Sequence, residues 1–177
     1  MKRASKTRSI TLAAAVLCVL SLAAATEKLS DLQAHFDRET NSVHKAKLLE
    51  KLGDAQFDET RRAGSANDYN AVGVILEKYR DNVRAALEAL KKEHPDAERQ
   101  SNGYRQLEIH VRKGIREIDE ILLLAPETLH PPILLVRSDL AAFDDEMLHM
   151  LFPRRPAPPS PAPAPPPAAP PSTENQP

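Results

Sequence analysis

The sequence predicts an all-α protein, an antiparallel bundle of three to four long helices with a short N-terminal helix and a disordered, proline-rich C-terminal tail. Two long segments repeat apolar residues at alternating intervals of three and four, which is the spacing of one buried helix face. Glycine, proline or capping residues separate the segments. The chain has no tryptophan, 3 tyrosines and 4 phenylalanines, so the core is expected to be aliphatic.

The clearest repeat covers residues 104–125. Its apolar or small positions are Tyr104, Leu107, Val111, Gly114, Ile118, Ile121 and Ala125. A glycine inside a helix is unfavourable by about 0.5–1 kcal/mol relative to alanine. Gly114 on the buried face therefore predicts a packing role, in which a neighbouring backbone comes close.

A second repeat of the same kind follows in residues 133–150. Its apolar positions are Ile133, Val136, Leu140, Phe143, Met147 and Met150. The connection between the two repeats is short, and Pro131 and Pro132 suit the first turn of a helix, where the missing N–H is not needed. The two helices are therefore expected to form an antiparallel hairpin.

Two further long helices precede this hairpin. Asn41 or Ser42 is placed to cap the first, and Gly64 is expected to end it. Asp68 is expected to cap the second, which must end before Pro95. Ahead of both, Ser30 is placed to cap a short helix that would dock through apolar side chains at one end of the bundle.

The first 25 residues have the pattern of a secretory signal peptide. Four basic residues and no acidic one lie in residues 1–8, an apolar stretch follows, and three alanines precede Thr26. Cleavage is expected before Thr26, because the apolar stretch is shorter than the ~20 residues that cross a bilayer. A retained anchor is the alternative, in which case the protein would contact the membrane only through this segment. The mature protein is expected to be periplasmic or secreted.

The rest of the chain divides into a helical bundle domain, residues 26–152, and a tail, residues 153–177. In the tail 12 of 25 residues are proline, which favours an extended, solvated chain. Arg155, Pro158 and Pro161 match the pattern that SH3-type domains bind, although a passive spacer is the simpler use of such a composition.

Charge and cysteine content exclude several classes of function. Without residues 1–25, 20 basic residues stand against 25 acidic ones, a net charge of -5 with no basic cluster, and this argues against nucleic-acid binding. The one cysteine, Cys18, lies in the signal segment. The mature chain would therefore have no disulfide, thiolate metal site or cysteine nucleophile.

One cluster of possible metal ligands lies in the last helix. Glu146 and His149 form a Glu-x-x-His pair of the type that di-iron bundles use, and Met147, His149 and Met150 could hold Cu(I). The only other Glu-x-x-His pair, Glu127 with His130, lies between prolines and is not expected to face it. Methionine on a buried stripe is usually a core residue, so no metal and no other cofactor is expected.

No catalytic motif is present. His110 and Glu117 flank the 104–125 stripe, with Asp119 and Glu120 beside them, but such residues usually keep their polar ends in water. There is no Gly-rich phosphate loop and no HExxH motif. A non-enzymatic binding or scaffolding module of the bacterial cell envelope is the favoured function, with a protein partner, an envelope polymer or a second copy of the chain as its partner. A periplasmic metal-binding protein that uses His149, Glu146 and the nearby methionines is the alternative.

One part of the sequence resembles a known helical repeat. Residues 49–53, with Ala71, Tyr79 and Ala86 downstream, resemble the helix-pair pattern of tetratricopeptide repeats, but the loop after Gly64 breaks the 34-residue register and no second copy follows. The LTxxQ signature of exported helical stress proteins is absent. Neither comparison assigns a role to a residue.

Overall fold

The computed structural model describes residues 28–153. The predicted signal segment, its cleavage position and the tail from residue 154 onward lie outside the described residues. Within 28–153 the protein is entirely helical, with no strand. Its elements are α1 (residues 28–38), α2 (Ser42–Ser65), α3 (Tyr69–Glu93), α4 (Ser101–Leu124), a 3-10 helix (Glu127–Leu129) and α5 (His130–Leu151). None of these helices is long and apolar enough to span a membrane.

Two helical hairpins, α2–α3 and α4–α5, make up the bundle. They lie side by side, so that α2 packs against α4 and α3 packs against α5, with fewer contacts between α3 and α4 across the middle. Ion pairs Arg61–Glu117 and Lys113–Asp54 show that α2 and α4 run in the same direction. The end of α2, the start of α3, the end of α4 and the start of α5 therefore meet at one end of the bundle. The predicted fold class is confirmed.

Two predicted helix caps are confirmed. The side chain of Asn41 accepts a hydrogen bond from the backbone N–H of His44 at 2.9 Å, and Asp68 accepts one from Ala71 at 3.1 Å. Each bond satisfies a donor that the first turn of a helix leaves free. Helix α3 ends at Glu93, before Pro95 as predicted.

Two other predicted helix ends are wrong. Gly64 lies inside α2, which continues to Ser65. The chain turns instead at Asn67, which adopts a left-handed conformation with φ of 58°, a state that asparagine tolerates better than most residues. Ser30 lies within α1 and does not cap it.

The core contains the predicted stripes. Its largest fully buried side chains are Tyr79, Tyr104, Phe36, Phe57, Leu49, Leu52, Leu76, Leu87, Leu90, Leu107, Ile118 and Leu140. In α5, Phe143 and Met150 are only half-buried, whereas Leu151 is buried. The expected close approach at Gly114 is real, but the neighbour is the side chain of Tyr79 and not a backbone.

Two ion pairs set the register of the α4–α5 hairpin. Arg137 donates to both carboxylate oxygens of Asp119, at 2.5 and 3.3 Å. Farther along, Arg112 lies 3.4 Å from Asp144. The two pairs are seven residues apart on α4 and seven residues apart on α5, in opposite chain directions. The helices are therefore antiparallel, and their relative register is the same at both pairs.

Candidate functional site

A cleft of about 300 Å³ opens at the end of the bundle where three helices meet. We call it the end cleft. Its walls come from the end of α2, the start of α3 and the end of α4, and its lining residues are Thr60, Arg61, Gly64, Ser65, Tyr69, Val72, Glu117, Glu120, Ile121, Leu124 and Ala125. Most of the lining surface is apolar. Pockets of this volume are typical of small-ligand or side-chain binding sites.

The α2–α3 turn fixes one wall of the end cleft. The backbone N–H of Asp68 donates to the carbonyl of Ala63 at 2.9 Å, and that of Asn67 donates to Gly64 at 3.0 Å. These bonds satisfy carbonyls at the end of α2 and fold the chain back within three residues. Tyr69, the first residue of α3, is thereby placed in the cleft wall.

A chain of ion pairs joins α2 and α4 at the rim. The guanidinium of Arg61 donates to Asp58 on its own helix at 2.6 Å and to Glu117 on α4. Partial burial lowers the pKa of Arg61, but its two carboxylate partners outweigh this effect and raise it. The side chain therefore remains charged, and its charge is compensated inside the protein. Glu120 lies beside this pair and is exposed to solvent.

One apolar side chain of the cleft wall projects into solvent. Leu124, a cleft residue, is 84% exposed, and its chain neighbour Leu123, which does not line the cleft, is 86% exposed. Single exposed leucines are common on proteins, whereas an exposed leucine in the wall of an apolar cleft is typical of a binding site. The position of Gly64 contributes as well, because an added Cβ there would meet no atom within 4 Å. The cleft is thus wider than it would be with a larger residue at this position.

A second unusual cluster lies in the core, around Tyr79. The tyrosine ring lies between two glycines, and a Cβ on Gly53 would approach its Cε2 to 2.9 Å while one on Gly114 would approach its Cε1 to 2.8 Å. The Tyr79 hydroxyl donates to the backbone carbonyl of His110 at 3.3 Å. Burial raises the pKa of Tyr79 well above its usual range, so the hydroxyl keeps its proton.

His110 packs against the same tyrosine. Its ring lies 5.7 Å from that of Tyr79 in an edge-on contact. The side chain is buried, and its Nε2 has no hydrogen-bond partner within the described residues. Burial lowers the pKa of His110, while Asp54 and Glu50 act against this shift and Lys113 acts with it. Burial therefore favours the neutral form of the imidazole.

The expectation that His110 keeps its polar end in water is therefore wrong. Gly53 on α2 leaves a gap opposite this position, and the imidazole fills it. The other residues of the possible acid–base group are separated from it. Glu117 bonds to Arg61 at the end cleft, and Asp119 bonds to Arg137. The structure does not bring these groups together.

The possible metal ligands of α5 also point in different directions. Glu146 pairs with Lys91 on α3 at 2.8 Å, and Met147 is fully buried in the core. His149 is largely exposed, and its Nδ1 lies 2.8 Å from the carbonyl of Asp145. Met150 is half-buried. Within residues 28–153 no group of three or more His, Cys, Asp or Glu side chains could hold a metal ion.

The other Glu-x-x-His pair is not a site either. Glu127 lies in the 3-10 helix, and His130 begins α5. The Nε2 of His130 lies 3.1 Å from the carbonyl of Ala125. This contact holds the imidazole against the α4–α5 connection.

Sequence reasoning missed the end cleft, because its walls come from three separate helix ends. One signal was present in the chain. Residues 121–124 are Ile-Leu-Leu-Leu, four consecutive apolar residues, whereas a single buried helix face accounts for about half of such a run. The apolar residues of this run that exceed one buried face lie where α4 presents apolar side chains to solvent.

No family model, no curated protein and no solved structure matches this chain. The end cleft is supported by its own features, which are its volume, its apolar walls and the exposed Leu124 in one of them.

Proposed function

We propose that this protein is an exported, non-enzymatic binding or scaffolding module of the cell envelope, and that its end cleft receives an apolar side chain of a protein partner. The observation that carries the proposal is the apolar cleft of about 300 Å³ with Leu124, more than four-fifths exposed, in its wall. An apolar anchor residue seated in a pocket is the usual centre of a protein–protein contact. The location rests on the signal-like pattern of residues 1–25.

The charges around the cleft favour the same kind of occupant. Arg61 is already paired with Asp58 and Glu117, so it has little to gain from an anionic ligand. Glu120 and the ends of α2 and α4, where backbone carbonyls give a partial negative charge, lie at the rim. An apolar side chain with a lysine or arginine nearby fits both features.

Site-specific photocrosslinking in the native cells would test the proposal. A photoreactive amino acid at Leu124, in the cleft wall, is expected to give a discrete crosslinked product. The matched control is Val74, which is 67% exposed on α3 away from the cleft, and no product is expected there. The product should disappear when the cleft is filled by Gly64→Leu.

A second control separates filling of the cleft from an effect on helix stability. Gly73 also has no atom within 4 Å of an added Cβ and also lies in a helix, but it does not line the cleft. Gly73→Leu should leave the crosslink unchanged. A product from Leu124 that persists in Gly64→Leu would contradict the proposal, and a product that contains polysaccharide would place an envelope polymer at this surface.

A further inference from the structure

The outward face of α5 has no charge over nine residues. Its exposed positions between 134 and 142 are Leu134, Leu135, Ser138, Ala141 and Ala142. At 3.6 residues per turn these five fall within about 120° of the helix circumference. We call them the outer stripe. A helix that is apolar on its outward face as well as its inward face is normally covered.

The two charged side chains in this segment are turned to the sides. Arg137 pairs with Asp119 on α4, and Asp139 lies 3.5 Å from Arg80 on α3. Both charges are thus compensated within the chain and flank the outer stripe without interrupting it. A second helix could therefore lie along the stripe without burying an unpaired charge.

The positions of the stripe residues are symmetrical about Ser138, with large residues on one side and small ones on the other. Leu134 and Leu135 lie four and three residues before Ser138, and Ala141 and Ala142 lie three and four residues after it. A second copy of α5, antiparallel and related by a two-fold axis at Ser138, would set the leucines of each copy over the alanines of the other. Such matching of large residues with small ones is what close helix packing requires.

We infer that the outer stripe is a self-association surface, through which two copies of this protein pair with α5 antiparallel to α5 across a two-fold axis at Ser138. Leu134 packs on Ala141 of the second copy, and Leu135 packs on Ala142 of the second copy. Two-fold pairs of this isologous type are the commonest assembly of soluble proteins.

Charge at the two ends of the stripe fits the same arrangement. The axis brings Asp145, which is exposed, level with the first turn of α5 in the second copy. The N-terminal end of a helix carries a partial positive charge and attracts a carboxylate. A parallel pair would lack this contact, because it would place Asp145 beside Asp145.

The area of the outer stripe sets the expected affinity of the dimer. Leu134 is 48% and Leu135 is 60% exposed, so the stripe offers on the order of 400 Å² per copy, about half of the roughly 800 Å² in a standard interface. The total of ~800 Å² for two copies is below the ~1,000 Å² that a stable interface usually buries, so the dimer is expected to be weak and to form only at high protein concentration. The end cleft lies on the α2 side of the bundle, and α5 occupies the opposite corner. Dimerisation would leave both clefts open, so this inference stands independently of the proposed function.

Sedimentation equilibrium of the chain from Thr26 onward tests the inference. We expect a monomer–dimer equilibrium that Leu135→Glu weakens at least tenfold. The control Val74→Glu introduces the same charge at an exposed valine on α3 and should leave the equilibrium unchanged. A monomer at all concentrations up to the millimolar range would overturn the inference, as would a dimer that Leu135→Glu does not weaken.

Cysteine crosslinking tests the position of the axis. The chain from Thr26 has no cysteine of its own, so an introduced thiol is the only one. Under mild oxidation Ser138→Cys should form an intermolecular disulfide rapidly, because the two copies of residue 138 meet at the axis. Leu134→Cys should react much more slowly, since its two copies lie on opposite sides of that axis. Equal rates for the two variants would rule out this two-fold arrangement.

Discussion

Tyr79 occupies the space that a side chain at Gly114 would take, since a Cβ on that glycine would lie 2.8 Å from Cε1 of the tyrosine. The same ring is bounded on its other edge by Gly53, and Phe57 packs edge-on against it at 4.7 Å. Helices α2, α3 and α4 therefore meet around one aromatic side chain. Gly53 on α2 and Gly114 on α4 leave the space that this ring occupies.

The first prediction concerns Gly114. Gly114→Ala should lower the free energy of unfolding by about 1–3 kcal/mol, because the added methyl group collides with a ring that has no free space to enter. Gly114→Leu should cost more. Urea denaturation measures the change, and Gly73→Ala is the control, since a Cβ there meets nothing within 4 Å and should stabilise α3 slightly. A Gly114→Ala variant that is as stable as the wild type would contradict this packing.

The second prediction concerns pH. Burial lowers the pKa of His110 in the folded protein, whereas the unfolded chain titrates near 6.5. Below pH ~6.5 the unfolded state therefore binds the extra proton first, and stability should fall until the pH reaches the lowered folded-state pKa. Above pH ~6.5 this contribution is fully present. Asp54 and Glu50 on α2 and Lys113 on α4 are the charged groups that influence the imidazole, and Tyr79 is its neighbour on α3.

Urea denaturation between pH 7.5 and 5 would measure this dependence. His110→Gln should flatten the stability profile in that window, because glutamine does not titrate. Val74→Gln is the matched control, since Val74 is 67% exposed and its replacement introduces the same side chain without removing a titrating group. A wild-type protein whose stability rises as the pH falls from 6.5 to 5.5 would contradict the role given to His110.

The third prediction concerns the start of α3. Asp68→Ala should destabilise the protein by about 1 kcal/mol, because it removes the acceptor for the N–H of Ala71. Asp68→Asn keeps an oxygen in the same place and should cost much less. Thermal unfolding of both variants and of the wild type provides the comparison. An Asp68→Ala variant with the melting temperature of the wild type would show that this cap contributes nothing to stability.

The helices and their local ends could largely be predicted from the sequence, because they depend on neighbours within one turn. Residue type and position alone predict the cap of α3, Asp68, and limit the cap of α2 to Asn41 or Ser42. The predicted end of α2 at Gly64 is wrong. A glycine near a helix end is a common stop signal, but Asn67 takes the left-handed conformation here. Nothing within one turn of Gly64 reveals this difference.

The environments that depend on two or more helices could not be predicted. The burial of His110 follows from the glycine at position 53 on another helix, which no local pattern reveals. The end cleft could not be predicted for the same reason, since it is bounded by the ends of three helices, α2, α3 and α4. The spacing of the possible metal ligands Glu146 and His149 on α5 can be read from the sequence, but the partner of Glu146, which is Lys91 on α3, cannot.

The fourth prediction concerns metal. Met147 faces the core, whereas His149 is exposed on the helix surface, so the two donors cannot close around one ion without unwinding α5. Titration of the chain from Thr26 with Cu(I) should show no stoichiometric binding at micromolar concentration. Binding that His149→Gln or Met150→Leu abolishes would restore the metal-binding alternative.

Binding of an apolar group in the end cleft can be tested before any partner is known. The test is a fluorescence titration of the chain from Thr26 with the neutral apolar dye N-phenyl-1-naphthylamine. We expect saturable binding that Gly64→Leu weakens at least tenfold and Gly73→Leu leaves unchanged. Equal affinity of the dye for both variants, or no binding to the wild type, would contradict it.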